Sequence, residues 1–151
     1  MAEVKSTQTT PVGNGYKLLP HADGGRKRSF YARYAAPAST QAIGDTIYLG
    51  DLPKGARIGK DWLVNCSAGT ASCTLHIGLR KKSDGTVIDA DGIAVSVDVA
   101  AAGYKDANTG ALIAAGEEYV TTEAVEVYAT INVAVLAASQ KLTFEGSYVQ
   151  D

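Results

Sequence analysis

The clearest alternation of apolar and polar positions runs through residues 45–82 (DTIYLGDLPKGARIGKDWLVNCSAGTASCTLHIGLRKK). Ile47 and Leu49 alternate with Thr46, Tyr48 and Gly50. Ile58, Trp62, Val64 and Cys66 share one parity against Arg57, Asp61 and Asn65, and Leu75, Ile77 and Leu79 alternate with Thr74, His76 and Arg80. Successive side chains of a strand point to opposite faces, so the pattern predicts three strands, each with one buried and one wet face. Leu52-Pro53-Lys54-Gly55 supplies the first turn, with proline at the second position and glycine at the fourth position of a type I turn. The small residues 67–72 supply the second.

The same period extends over the rest of the chain. Phe30, Ala32 and Tyr34 share a parity in a strand entered from Arg26-Lys27-Arg28. Residues 35–42 read as a linker, Ser83-Asp84-Gly85 as a turn, and residues 86–89 as a short strand. Asp89-Ala90-Asp91-Gly92 is read as another turn, and residues 93–99 as a strand. Residues 100–103 leave open the start of a short helix stopped by Gly103. Residues 104–116 read as loop and residues 117–122 as a strand. The alternations at residues 123–133 and 141–149 give the last two strands. Eight or nine short strands with frequent turns predict an all-β, jelly-roll-like two-sheet sandwich rather than a barrel. Its inward set is Ile47, Leu49, Ile58, Trp62, Val64, Leu75, Ile77, Leu79, Val125, Val127, Ile131, Leu142 and Phe144.

Residues 1–25 carry no sustained hydrophobic period, which predicts an extended N-terminal arm ahead of a sandwich domain at residues 26–151. Tyr16, Leu18 and Leu19 are the arm's one sizeable apolar cluster, suited either to docking on a partner or to packing on its own domain.

Length and composition add bounds. A chain of 151 residues fits one domain with a real core, and 16 glycines suit many tight turns. The net charge of −2 conceals an asymmetry. Residues 1–33 hold Lys5, Lys17, Arg26, Lys27, Arg28 and Arg33 against Glu3 and Asp23, and the acidic excess lies entirely in the remainder. Arg26, Lys27 and Arg28, with the Tyr16, Leu18 and Leu19 cluster, are therefore the candidate partner-binding residues. The acidic body argues against duplex nucleic acid as that partner. No run of about 18 apolar residues is present to span a membrane. No secretory h-region is visible either, so a product made in the cytoplasm is expected.

Candidate chemistry is sparse. Cys66 and Cys73 bracket six small residues, and across a hairpin their Cβ atoms would approach disulfide distance. In a reducing cytoplasm both are expected to remain thiols. A zinc site from Cys66, Cys73 and His76 lacks a fourth ligand and has residues 73 and 76 on opposite faces. The acidic pair in Asp89-Ala90-Asp91-Gly92 lacks the remaining ligands of a calcium loop, with Ala100 where the closing glutamate belongs. His21 and His76 are the only imidazoles, no Gly-x-Ser-x-Gly elbow occurs, and neither Glu117-Glu118 nor Glu123 with Glu126 is oriented as a catalytic pair. No Gly-rich phosphate loop opens a helix. The expectation is a non-enzyme with no cofactor and no metal.

Residues 45–58 (DTIYLGDLPKGARI), the strand and small-residue connection after them, Leu75-His76-Ile77-Gly78-Leu79 and Asp84-Gly85-Thr86 resemble small virion structural proteins of tailed bacteriophages. The resemblance is to capsid decoration, or cement, proteins with a jelly-roll domain. It runs from about residue 43 to the strand at 142–149 and leaves out the arm. It implies a non-enzymatic homotrimer on the outer capsid surface, with the major capsid protein as partner, bridging its neighbouring subunits. A small head-tail connector protein would share the pattern. The competing class is a carbohydrate-binding β-sandwich for host attachment, with Tyr48 and Tyr128 on outward parity as its platform.

Overall fold

The computed structural model describes residues 26–116 and 118–150. Nine strands form two antiparallel sheets. They are β1 (Arg26–Ala35), β2 (Thr46–Leu52), β3 (Arg57–Ile58), β4 (Leu63–Cys66), β5 (Thr74–Lys81), β6 (Val87–Asp98), β7 (Gly103–Asp106), β8 (Val125–Asn132) and β9 (Lys141–Gln150). One sheet has the order β1-β9-β4-β7, with β3 also pairing β9, and the other the order β2-β8-β5-β6. β3 and β4 lie along the same side of β9, interrupted by residues 59–62. The fold is the expected all-β sandwich, and among the described residues there is no helix, including at 100–103.

The core lies between the sheets and is assembled by parity. Every residue of the expected inward set except Leu49 is buried, and Leu49 packs half-buried against the others. Leu49 departs because β2 slips register between Tyr48 and Gly50, a bulge that returns Leu52 to the interior. Trp62 is 1% exposed, its ring 5.0 Å from that of Phe30. Below it is Gly146 of β9, where an added Cβ would strike the indole directly. The bare backbone at 146 is what lets β9, at the sheet's centre, receive the largest core side chain from the break between β3 and β4.

Several local expectations are corrected. The first turn is closed by Ala56 N–H donating to Pro53 C=O at 3.3 Å, with Gly55 at φ 82°. Glycine therefore occupies the third position of a type II turn and not the fourth of a type I, since only the former needs a positive φ. Thr121 fixes this turn from below, its Oγ1 accepting from Ala56 N–H (2.9 Å) and donating to Pro53 C=O (2.6 Å). The two connections in residues 45–82 are not hairpins. β2 pairs β8, β4 pairs β9 and β7, and β5 pairs β6 and β8, so the chain crosses between sheets at both places. Cys66 consequently ends β4 in one sheet, and Cys73 directly precedes β5 of the other. Both are buried free thiols, and burial pushes both above the ordinary thiol range.

Asp89-Ala90-Asp91-Gly92 is no turn. It lies within β6, where the register jumps from Leu79↔Asp89 to Ile77↔Ala94, so β6 bulges outward by several residues. The bulge presses on Gly78 of β5, whose Cβ would collide with the backbone of Asp89 and Ala90. Residues 104–106, read as loop, join Gly103 in β7 against β4. Residues 118–122, read as strand, form no regular strand but lie along residues 55–58, with the bridge Arg57↔Val120 and backbone hydrogen bonds of Tyr119 and Thr121 to Ile58, Ala56 and Gly55.

Trp62→Ala should destabilise the fold by about 3–5 kcal/mol, the cost of an emptied aromatic core site. Denaturant unfolding checks it: an equally stable mutant would contradict the packing of Trp62 on Phe30 and Gly146.

Candidate functional site

Strand parity sends Lys27, Ser29 and Tyr31 of β1, Leu63 of β4, and Glu145, Ser147 and Val149 of β9 to the outer face of the five-stranded sheet. Two adjoining clefts of about 570 and 550 Å³ open there and share Lys27, Asp61 and Ser147. The first continues over Arg57, Lys60 and Glu118, the second over Tyr31, Leu63 and Glu145. The shared wall is held by Asp61. Its carboxylate takes Lys27 Nζ at 2.8 Å and the Ser147 hydroxyl at 2.6 Å. Gly59 N–H donates to Ser147 C=O at 2.8 Å, which anchors the break between β3 and β4 onto β9.

The electrostatics are those of a recognition groove. Burial raises the Asp61 pKa, but hydrogen bonds from Lys27 and Ser147 outweigh it and hold the carboxyl below the ordinary range. The Lys27 pair is exposed on both sides, so it adds little to stability and leaves donors available. Arg57 Nε stands 4.0 Å from Glu118 Oε1, and that nitrogen is buried without a hydrogen-bond partner. Cations and carboxylates alternate along the groove, and its lining residues include no imidazole or thiol. Such a surface can bind a polar or charged chain.

Of the six expected partner-binding residues, Lys27 lines the groove. Arg26 and Arg28 share the parity of Phe30 and point away from it, so the basic triplet divides between the two faces of β1. Tyr16, Leu18 and Leu19 lie outside the described residues, as does the arm. Asp61, Ser147, Arg57, Glu118 and Glu145 were not singled out as site residues. Their one trace in the sequence is parity, which already set Arg57 and Asp61 on a wet face.

The other outer face is closed by its own contacts. Tyr128 is outward by parity yet only 4% exposed, because Arg80 lies over its ring at 5.1 Å and Gly78 brings the β6 bulge close. That corrects its assignment to a sugar platform. Tyr48 is exposed, its hydroxyl donating to Asp51 at 2.9 Å. Arg80 pairs with Glu126 at 2.6 Å and Lys81 with Glu123 at 2.9 Å. His76 sits between Asn132 Nδ2 at 2.6 Å and Asp91 Oδ2 at 3.6 Å, far from both cysteines in orientation, since Cys73 points inward. Among the described residues no group of three His, Cys, Asp or Glu is placed to hold a metal ion, and no helix is long and apolar enough to cross a membrane. The groove face carries the exposed tyrosines that parity alone did not flag, Tyr31 and Tyr104.

No protein-family model and no curated protein matches the sequence. Solved structures do share its fold. A chain in the capsid of Ralstonia phage GP4 superposes with a TM-score of 0.63 at 18% identity, over 89% of this chain and 92% of that one. A chain in the cyanophage Pam1 capsid asymmetric unit superposes with a TM-score of 0.61 at 14% identity, over 100% of both. At these identities the likeness is one of fold, and it extends through the whole sandwich.

Asp61→Asn tests the electrostatics of the shared wall. Because the folded-state pKa is depressed, the ionised carboxylate stabilises the fold above its unfolded pKa, and that contribution is lost as pH falls through the folded value. The mutant should be less stable than the wild type at neutral pH, and the difference should close in acid. Thermal melts across that range give the answer. A gap that persists unchanged below the folded pKa would assign the loss to packing instead.

Proposed function

We propose that this chain is a structural protein of a tailed-bacteriophage virion, a decoration protein on the outer capsid surface that bridges neighbouring major capsid subunits. The observation that carries the reading is the end-to-end likeness of fold to two chains from phage capsids. The strand order supports a jelly roll: β1-β9-β4-β7 faces β2-β8-β5-β6, with β3 acting as a continuation of β4 along β9. The groove favours recognition over catalysis, since it offers charge and hydrogen bonds but no activated nucleophile or base.

In this reading the protein acts as a homotrimer, closed symmetry covering apolar patches that a small sandwich leaves exposed. The arm, residues 1–25, binds an acidic surface of the shell. Tyr16, Leu18 and Leu19 are its apolar anchor, and Arg26, Lys27 and Arg28 speed encounter. Charge then governs association and salt dependence, and the apolar cluster governs release. The sugar-binding alternative is weakened by the burial of Tyr128, one of the two side chains it relied on.

Co-sedimentation with purified capsids of the phage encoded by the same genome, followed by imaging, tests the reading. Binding over the whole shell is expected, at a trimer mass by light scattering and weaker for a chain lacking residues 1–25. Label confined to one vertex would favour a connector. Absence of co-sedimentation together with glycan binding would replace the proposal by the attachment module.

A further inference from the structure

The sandwich treats its strand edges unequally. Along β6 the bulge and the following loop cover the edge: Gly110 and Leu112 N–H donate to Ile93 and Gly92 C=O at 2.9 Å each, and Thr109 Oγ1 accepts from Val95 N–H at 3.0 Å. β2 is broken by its register slip, and β7 spans only four residues. β1 is different. It holds unbroken register with β9 over ten residues, from Arg26↔Gln150 to Ala35↔Lys141, and among the described residues nothing pairs on its other side. A long, regular, uncovered edge is a template for another strand.

Backbone phase identifies which groups are on offer. Ala36 N–H donates to Gln140 C=O at 2.8 Å, so by the period of two the even residues of β1 bond to β9. The donation from Gly59 N–H to Ser147 C=O fits the same phase, turning the odd residues of β9 toward β3. Lys27, Ser29, Tyr31, Arg33 and Ala35 therefore direct their N–H and C=O groups to the free edge.

Charge selects the occupant. β1 (RKRSFYARYA) carries Arg26, Lys27, Arg28 and Arg33 and no acidic residue. Two β1 edges can meet antiparallel only with residues of equal parity opposite one another; centred on Phe30 this sets Lys27 opposite Arg33, and centred on Tyr31 it still gathers the cations of both strands with no carboxylate among them, which is destabilising. We infer that β1 is the docking edge for an extended acidic segment of another protein, which adds as a further strand of the five-stranded sheet. Because Arg26 and Arg28 face one side and Lys27 the other, the matching segment has consecutive acidic residues rather than alternating ones. This goes beyond the capsid reading and is tested without capsids, so either can fail alone.

The probe is a fluorescein-labelled ten-residue peptide of three consecutive glutamates followed by alternating threonine and valine, titrated into the full chain by fluorescence anisotropy. Saturable binding that weakens with salt is expected, with no binding of the same peptide carrying lysine for glutamate. Ser29→Pro removes an edge-facing N–H without touching the β9 ladder and should weaken binding about tenfold or more with unchanged circular dichroism. Should that variant fail to fold, the double substitution Arg26→Glu and Arg28→Glu should produce a loss of about fivefold or more. No saturable binding overturns the inference, as does binding that a folded Ser29→Pro leaves intact. Equal binding of a DNA oligonucleotide of the same charge would reduce the edge to a generic cation patch and also overturn it. So would a dimer of the chain that Ser29→Pro dissociates, since a second copy would then own the edge.

Discussion

Both sheets depend on strands that the chain reaches last. β9 receives β1, β3 and β4, and β8 receives β2 and β5, so the central ladder of each sheet is completed by the C-terminal quarter of the sequence. Arg26 pairs with Gln150, almost the full described length away. Before β5 no strand finds its hydrogen-bonding partner in its sequence neighbour, because β1, β2 and β3 alternate between the sheets and β3 and β4 lie end to end along β9. Loop closure must precede the reward of contact, which is the circumstance in which β proteins fold slowly.

That central role constrains composition at close range. β9 carries Leu142 and Phe144 inward, yet at 146 it must be glycine because Trp62 occupies the space a side chain would fill. β5 pays a similar toll at Gly78, where the β6 bulge crosses its outer side. In both places a large group is accommodated by deleting a small one.

The two outer faces have diverged in how they satisfy their charges. On the four-stranded sheet Arg80 pairs with Glu126, Lys81 with Glu123 and Tyr128 is covered, while Tyr48 stands exposed and His76 Nδ1 is buried without a hydrogen bond. On the five-stranded sheet the ion pair of Lys27 with Asp61 is open to solvent, Arg57 Nε has no hydrogen bond, and Tyr31 and Tyr104 stand exposed. A face with unspent hydrogen-bonding capacity beside an edge strand that no described residue covers is where association costs least desolvation and returns most. The same five-stranded sheet therefore carries both the groove and β1.

Alternation by itself determined which side of each strand faces the core, down to Trp62, Phe144 and Ile131, because burial of apolar area acts residue by residue and leaves a period of two in the sequence. It also determined the class, an all-β sandwich of short strands. Only the tertiary structure decided which strands are neighbours. Pairing is made by backbone groups that every residue type shares, so the sequence around Leu52-Pro53-Lys54-Gly55 or Cys66 to Cys73 reads the same for a hairpin as for a crossover. From that one degree of freedom follow the rest of the differences. Asp61, Ser147 and Lys27 meet only because β1 and the break between β3 and β4 both pack on β9. Asp89 to Gly92 bulges within a strand rather than turning because Gly78 leaves room for it, and Tyr128 is buried on an outward position because Arg80 lies across it. Local pattern records the direction of each side chain; who stands opposite is set by contacts between segments that the pattern does not index.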